Sequence, residues 1–280
     1  MFEQAVFAGG GHRCWWQAGF WECVREPLSL RPKVIAATSA GASTVCLLYA
    51  NSAQEALQYY EPIIAQQRKN VEWGNLFKRG QRVLPHEGIY RTALARLLGG
   101  HHYKQLMFNA PEIRVVCSRA PIYLPLGLAT AVGMFSYSIE KKYFQPVHPR
   151  WGRRLGFRPV IKRVQECVSQ QDLIDLLLGS SCTPPFTGQQ KVDGRYVLDG
   201  GMVDNVPVHA VDPTRSTLVL LSRQYPRHAP VFSRDGFIYV QPSEPIPVTQ
   251  WDYTDHSKLV ATYDMGWRDG TAFLATFRSP

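Results

Sequence analysis

The chain lacks any pair of cysteines at C-x-x-C spacing: Cys14, Cys23, Cys46, Cys117, Cys167 and Cys182 are scattered, several among apolar neighbours. That pattern excludes a closely spaced zinc or redox motif and argues against a disulfide frame. It reads instead as small core residues of a reducing compartment. Charge is also scarce. Only 19% of residues are charged and 45% are hydrophobic, with 7 Trp, 13 Tyr and 13 Phe, which excludes a disordered chain and supplies a core for one domain spanning 1–280. Internal repeats and low-complexity linkers are missing too. So is an uninterrupted membrane span: the longest uncharged run, between Arg119 and Glu140, contains Pro121, Pro125, Gly127 and Gly133 and reads as a loop and helix at an interface. The N-terminus MFEQAVFAGGG has no basic leader region. The expectation is a cytoplasmic protein, with peripheral attachment to a membrane, or one that leaves by a route needing no such signal.

Acidic residues are absent from one stretch in particular. Lys141, Lys142, Arg150, Arg153, Arg154, Arg158, Lys162 and Arg163 lie in a segment with no Asp or Glu, interleaved with Tyr143, Phe144, Trp151, Leu155 and Phe157. Without those eight, 23 basic residues face 22 acidic ones, so this segment carries almost all of the +9 net charge. Cations studded with aromatics, directly after an uncharged run, suit a surface that docks on anionic lipid through Lys141, Lys142, Arg150, Arg153, Arg154 and Arg158. Nucleic acid would accept such a patch as well, but no recognition motif for it is present.

Elsewhere strands alternate with helices. Strands are predicted at 4–8, 33–38, 112–118, 196–198, 216–222 and 237–241, and helices at 13–25, 40–50, 171–178 and 256–277, with further helical segments after 50. The alternation implies an α/β fold with a mostly parallel sheet covered by helices. The basic, aromatic part, about 120–165, would be an inserted cap or lid.

Three turns carry chemistry. In VIAATSAGAST, residues 34–44, Ser39 falls between a buried strand and a small-residue helix, the geometry that holds a nucleophilic hydroxyl at a strand tip. In GGGHR, Gly9 to Arg13, successive glycines can turn backbone N–H groups toward one point, to hold a phosphate or an oxyanion. The dinucleotide pattern G-x-G-x-x-G fails at Cys14, so nucleotide binding is the weaker use of that loop. In YVLDGGMVDNVPV, residues 196–208, Asp199 ends a short strand before two glycines; burial there would raise its pKa toward the range of a general base. His12 and His209 offer a Ser-His-Asp alternative, although neither sits in a strand-end motif.

The order G-G-G-x-R, then x-x-S-x-G, then D-G-G resembles the patatin-like phospholipases, and so do SSCTPPF (180–186), D-N-V-P, IYVQPSEPIPVTQWDYTD and TYDMGWRDGTAFL. The resemblance implies a three-layer α/β/α patatin-like fold and a lipid acyl hydrolase of phospholipase A or lysophospholipase type, acting on phospholipid or another acyl-ester lipid. It makes Ser39 the nucleophile and Asp199 its base. Gly10 and Gly11 become oxyanion donors with Gly9 shaping the turn, and Arg13 supports that loop or the substrate. It implies no metal and no cofactor. Acyl transfer to a lysolipid or alcohol, and lipid binding without catalysis, are the alternatives. Ala37 and Cys14 stand where the family pattern has Gly.

Overall fold

The computed structural model describes residues 2–66, 70, 86–184 and 187–278. Pro185 and Phe186 of the SSCTPPF motif lie outside the described residues. In chain order the first half holds β1 (Gln4–Phe7), α1 (Trp15–Arg25), β2 (Val34–Thr38), α2 (Ala40–Tyr49), α3 (Ala53–Gln66), α4 (His86–Leu97), α5 (Gly100–Asn109) and β3 (Glu112–Arg119). There follow α6 (Leu126–Ile139), α7 (Trp151–Arg154), β4 (Arg158–Arg163), α8 (Gln170–Ser180), β5 (Gln190–Val192), β6 (Arg195–Asp199), α9 (Gly201–Asp204), β7 (Thr217–Leu220), β8 (Val231–Arg234), β9 (Phe237–Val240) and α10 (His256–Arg278).

The sheet runs β5-β6-β3-β2-β1-β7-β9-β8, with β4 also on β3. Its centre, β3-β2-β1-β7-β9, is parallel, and the antiparallel pairs lie at the margins. Side chains alternate across it, as strand geometry requires. Ala5, Phe7, Ile35 and Ala37 join a core roofed by α1, α2, α8 and α10, while Val6, Ala8, Ala36 and Val116 face Val147, Val206, Ala210 and Tyr239 on the other side. Helices on both faces make the three layers of an α/β/α fold.

Register decides where the active groups meet. Thr38 pairs with Val116, the last step of β2 along β3. The next residue, Cys117, pairs with Asp199 on one edge and with Val160 of β4 on the other. Since β4 already occupies the far edge, β6 must join β3 on the side of β2, just past the point where the chain turns off at Ser39. The tips of β2 and β6 therefore abut.

One feature departs from the sequence reading. The basic segment is not one insertion: Arg158–Arg163 form a strand of the sheet, antiparallel to β3. Pro159 and the cations, which disguise it in sequence, are residues an edge strand tolerates. Lys162 and Arg163 are paired with Asp193, Glu166 and Glu112, so they serve the fold. The rest, 120–157, packs on α9. The third core cluster joins Ala129 and Phe157 to Leu198, Met202 and Val203, and buried Glu140 accepts the backbone N–H groups of Arg150 (2.9 Å) and Trp151 (3.1 Å), closing the loop between α6 and α7.

Candidate active site

Ser39 stands between β2 and α2 with φ 53° and ψ −139°, a left-handed backbone that a non-glycine residue adopts only where its surroundings enforce it. The enforcement is visible. Its N–H donates to Ser180 Oγ (2.7 Å), and that hydroxyl in turn donates to the Val116 carbonyl (2.7 Å). Two residues on, a side chain at Gly41 would begin 2.5 Å from the Ala8 carbonyl oxygen, so α2 can leave the elbow only over a glycine. Ala37, by contrast, is fully buried in the helix-covered core, and its methyl group is part of that packing.

The Ser39 hydroxyl donates to Asp199 Oδ2 at 2.8 Å, and Asp199 Oδ1 accepts the N–H of Gly201 at 2.7 Å. Burial pushes the Asp199 carboxyl up to about 6, against the lowering effect of those two bonds. A carboxylate of that strength holds its charge at neutral pH and can still take a proton from a hydroxyl under attack.

The glycine loop faces the same cavity, and its three residues have different duties. Gly9 is an inner strut: its N–H donates to the Asn205 carbonyl (3.0 Å), and its own carbonyl accepts Asn205 Nδ2 (2.7 Å) and the Ser222 hydroxyl. Its amide is spent on Asn205, so Gly9 is not free to donate to an oxyanion. The N–H groups of Gly10 and Gly11 have no partner among the described residues. Gly11 has φ +58°, and a side chain there would begin 2.2 Å from the Gln250 carbonyl oxygen. Arg13 Nε donates back to the Gly10 carbonyl (3.2 Å) and braces the loop. Cys14 is buried behind it, its thiol pushed up to about 12 by burial and held as an uncharged filler.

These parts open on a cavity of about 650 Å³ whose wall includes Gly10, Gly11, Ser39, Asp199, Met134 and Tyr137. An elbow serine on an aspartate, under a glycine loop, is the arrangement that the resemblance in sequence implies. A family model described as patatin-like phospholipase matches residues 5–212. The chain belongs to the patatin-like phospholipase family. At family level that means lipid acyl hydrolysis. Among curated proteins no sequence matches this patatin-like chain. Its fold resembles the crystal structure of VipD from Legionella pneumophila, with a TM-score of 0.51 over 98% of this chain and 67% of that one, at 12% identity.

The histidines stand apart from the Ser39–Asp199 pair. His12 Nδ1 bonds the Asp252 carbonyl (2.8 Å), and its ring packs on Tyr60 and Tyr253; burial lowers it to about 4. His209 is likewise lowered to about 4, by burial and then by Arg153, and bonds neither Ser39 nor Asp199. Of the six cations assigned to membrane docking, Lys142, Arg150, Arg153, Arg154 and Arg158 are exposed, Lys142 at the cavity rim, but Lys141 is half-buried in the cavity wall beside Tyr137. That corrects its assignment: the turn after α6 carries it inward.

Ser180, Asn205 and Ser222 hold the site and were not singled out from sequence. Ser180 and Asn205 lie inside the SSCTPPF and D-N-V-P stretches, a signal for the segment rather than for the residue. Ser222 has no signal at all, since only the parallel pairing of β7 with β1 brings it to the glycine loop.

Proposed function

We propose that this chain is a serine acyl hydrolase of phospholipase A or lysophospholipase type, working through an acyl-enzyme on Ser39 with Asp199 as base. The observation that carries the reading is the 2.8 Å bond from the Ser39 hydroxyl to a carboxylate at about 6, beside two unengaged loop amides. As Ser39 Oγ attacks the ester carbonyl, Asp199 takes its proton, and the carbonyl oxygen, now negative, accepts the N–H groups of Gly10 and Gly11. Collapse breaks the ester C–O bond, and Asp199 returns the proton to the departing alcohol oxygen. Water then attacks the acyl-enzyme, giving one proton to Asp199, which passes it back to Ser39 as the fatty acid leaves.

The segment 120–157 acts in this reading as a lid on an anionic lipid surface. Along α6 the positions 128, 131 and 135 form one exposed face, and Ile122 is fully exposed before it; no charged residue interrupts the stretch between Arg119 and Glu140. Met134 and Tyr137, on the opposite side of the same helix, line the cavity. Exposed cations at Lys142, Arg150, Arg153, Arg154 and Arg158 flank the apolar face, which suits anionic head groups.

The test compares wild type, Ser39→Ala and Asp199→Asn on a short-chain p-nitrophenyl ester and on mixed phospholipid vesicles. A loss of about three orders of magnitude or more in both variants is expected. Activity surviving in Ser39→Ala would place the nucleophile elsewhere, and an inactive wild type would favour lipid binding without catalysis.

A further inference from the structure

The cavity holds more positive charge than cleavage of an ester needs. Arg223 begins directly after Ser222, whose hydroxyl is fixed to Gly9, so its side chain rises from the same wall as the oxyanion loop. Its guanidinium sits 4.5 Å from the centre of the Tyr225 ring. Lys141 reaches the cavity from the turn Glu140–Phe144, with Nζ 6.0 Å from the Tyr137 ring centre. Both line the cavity, and Arg13 stands behind them on Gly10.

None of these three cations pairs with a carboxylate among the described residues. The acidic side chains of the wall are Asp199, bonded to Ser39, and Glu87, bonded to Gly188 and Gln190. Burial, and after it the repulsion of Arg13 and Arg223, lowers Lys141 to about 8. Cations held together without a counter-charge make a strong seat for an anion.

Charge balance narrows the anion. Lys141, Lys142 and Arg223 in the wall and Arg13 behind it stand against the carboxylates of Asp199 and Glu87, four cations to two anions, which leaves about two positive charges; a phosphate monoester carries about −1.5 to −2 near neutral pH. A phosphodiester supplies only one negative charge, and the ammonium of a choline or ethanolamine head would be carried into the same cluster. We infer that Arg223 and Lys141, backed by Arg13, form a phosphate-monoester subsite, so that the preferred substrate is an acyl ester of glycerol phosphate with an unsubstituted phosphate. This rests on the acyl-hydrolase reading of Ser39 and Asp199, and it adds which lipid that site selects.

The experiment uses dihexanoyl lipids below their micellar concentration, which separates the subsite from membrane docking. kcat/KM is measured on dihexanoyl phosphatidic acid, dihexanoyl phosphatidylcholine and dihexanoylglycerol. Wild type should prefer phosphatidic acid over phosphatidylcholine about tenfold or more. In Arg223→Gln and in Lys141→Met the ratio of phosphatidic acid to dihexanoylglycerol should fall about tenfold, mainly through KM, and Arg223→Lys should restore part of it. Because it is a ratio within one protein sample, partial unfolding does not move it.

Inorganic phosphate distinguishes the two sources of the anion. Competitive inhibition only at concentrations far above the lipid KM supports a head-group site, whereas inhibition below that KM would reassign the cluster to free phosphate. Equal kcat/KM for phosphatidic acid and phosphatidylcholine, with dihexanoylglycerol cleaved, would overturn the subsite alone. Failure to cleave any of the three would overturn the hydrolase reading beneath it.

Discussion

Ser39 Oγ and Asp199 Oδ2 are 160 positions apart in the chain and 2.8 Å apart in space. The carboxyl end of that bond has a price in stability, because burial raises it to about 6 from an unfolded value near 3.8. The folded protein thus holds the proton more tightly than the unfolded chain does. Any stabilisation from this group is present below about pH 4 and is lost as pH rises through 6. Asp199→Asn should accordingly be more stable than wild type at pH 8, by about 1–2 kcal/mol after solvent screening at the cavity wall, with the difference vanishing near pH 4. Thermal melts of both proteins at the two pH values check this. In the proposed mechanism catalysis runs the other way, since only the ionised carboxylate can accept the serine proton. The acid limb of kcat/KM on a soluble neutral ester should therefore show an apparent pKa near 6. A limb near 4 would mean that Asp199 is not the titrating base.

At the scale of the element, α6 serves two surfaces at once. Its buried side seats on Met202 of α9, which follows Asp199, and its outer side exposes Leu128 and Phe135, the latter 68% exposed. If the outer side meets lipid, Leu128→Ser with Phe135→Ser should weaken co-sedimentation with anionic vesicles at least fivefold and leave turnover of a soluble ester in place. Charge reversal of the vesicle should do the same to the wild type. Arg150, Arg153, Arg154 and Arg158 replaced together by Gln should remove the salt dependence of binding, because that term comes from exposed charges. Unchanged binding in both variants at low salt would refute the lid. The element scale also explains why β4 escaped the sequence reading. Arg158, Lys162 and Arg163 give it the composition of a solvated loop, and its strand character comes from β3 offering a free edge.

Across the whole molecule, α10 closes the fold against α1. Glycines on both helices let the backbones touch: a side chain at Gly19 would begin 2.0 Å from the Tyr263 carbonyl oxygen, and one at Gly266 would begin 2.0 Å from that of Trp16. Trp16 Nε1 then donates to Asp269 Oδ2 (2.7 Å) along the same seam. Gly266→Val forces the helices apart and should cost about 2–3 kcal/mol, lowering Tm by several degrees while the acid limb of activity stays in place. Because α1 follows the glycine loop, this seam also anchors the floor of the site from beyond the stretch 5–212 that the family model matches.

The strand and helix order, and the three turns bearing Gly9–Gly11, Ser39 and Asp199, were determined by the sequence alone, because local patterning and glycine placement act over a few residues. Most of the sheet was legible for the same reason: β1, β2, β7 and β9 are short, mostly apolar runs buried on both faces, and β3 carries buried Val115, Val116 and Cys117 at its centre. What no local pattern contains is the register that sets Cys117 against Asp199 one step after Val116 meets Thr38. From that register comes the Ser39–Asp199 bond; the pairing of β7 with β1 brings Ser222 and Arg223 to the glycine loop, and packing adds Ser180, Asn205, Arg13 and Lys141 around the same cavity. Those are contacts between residues far apart in the chain, and only packing of the complete sheet and its helices brings them together.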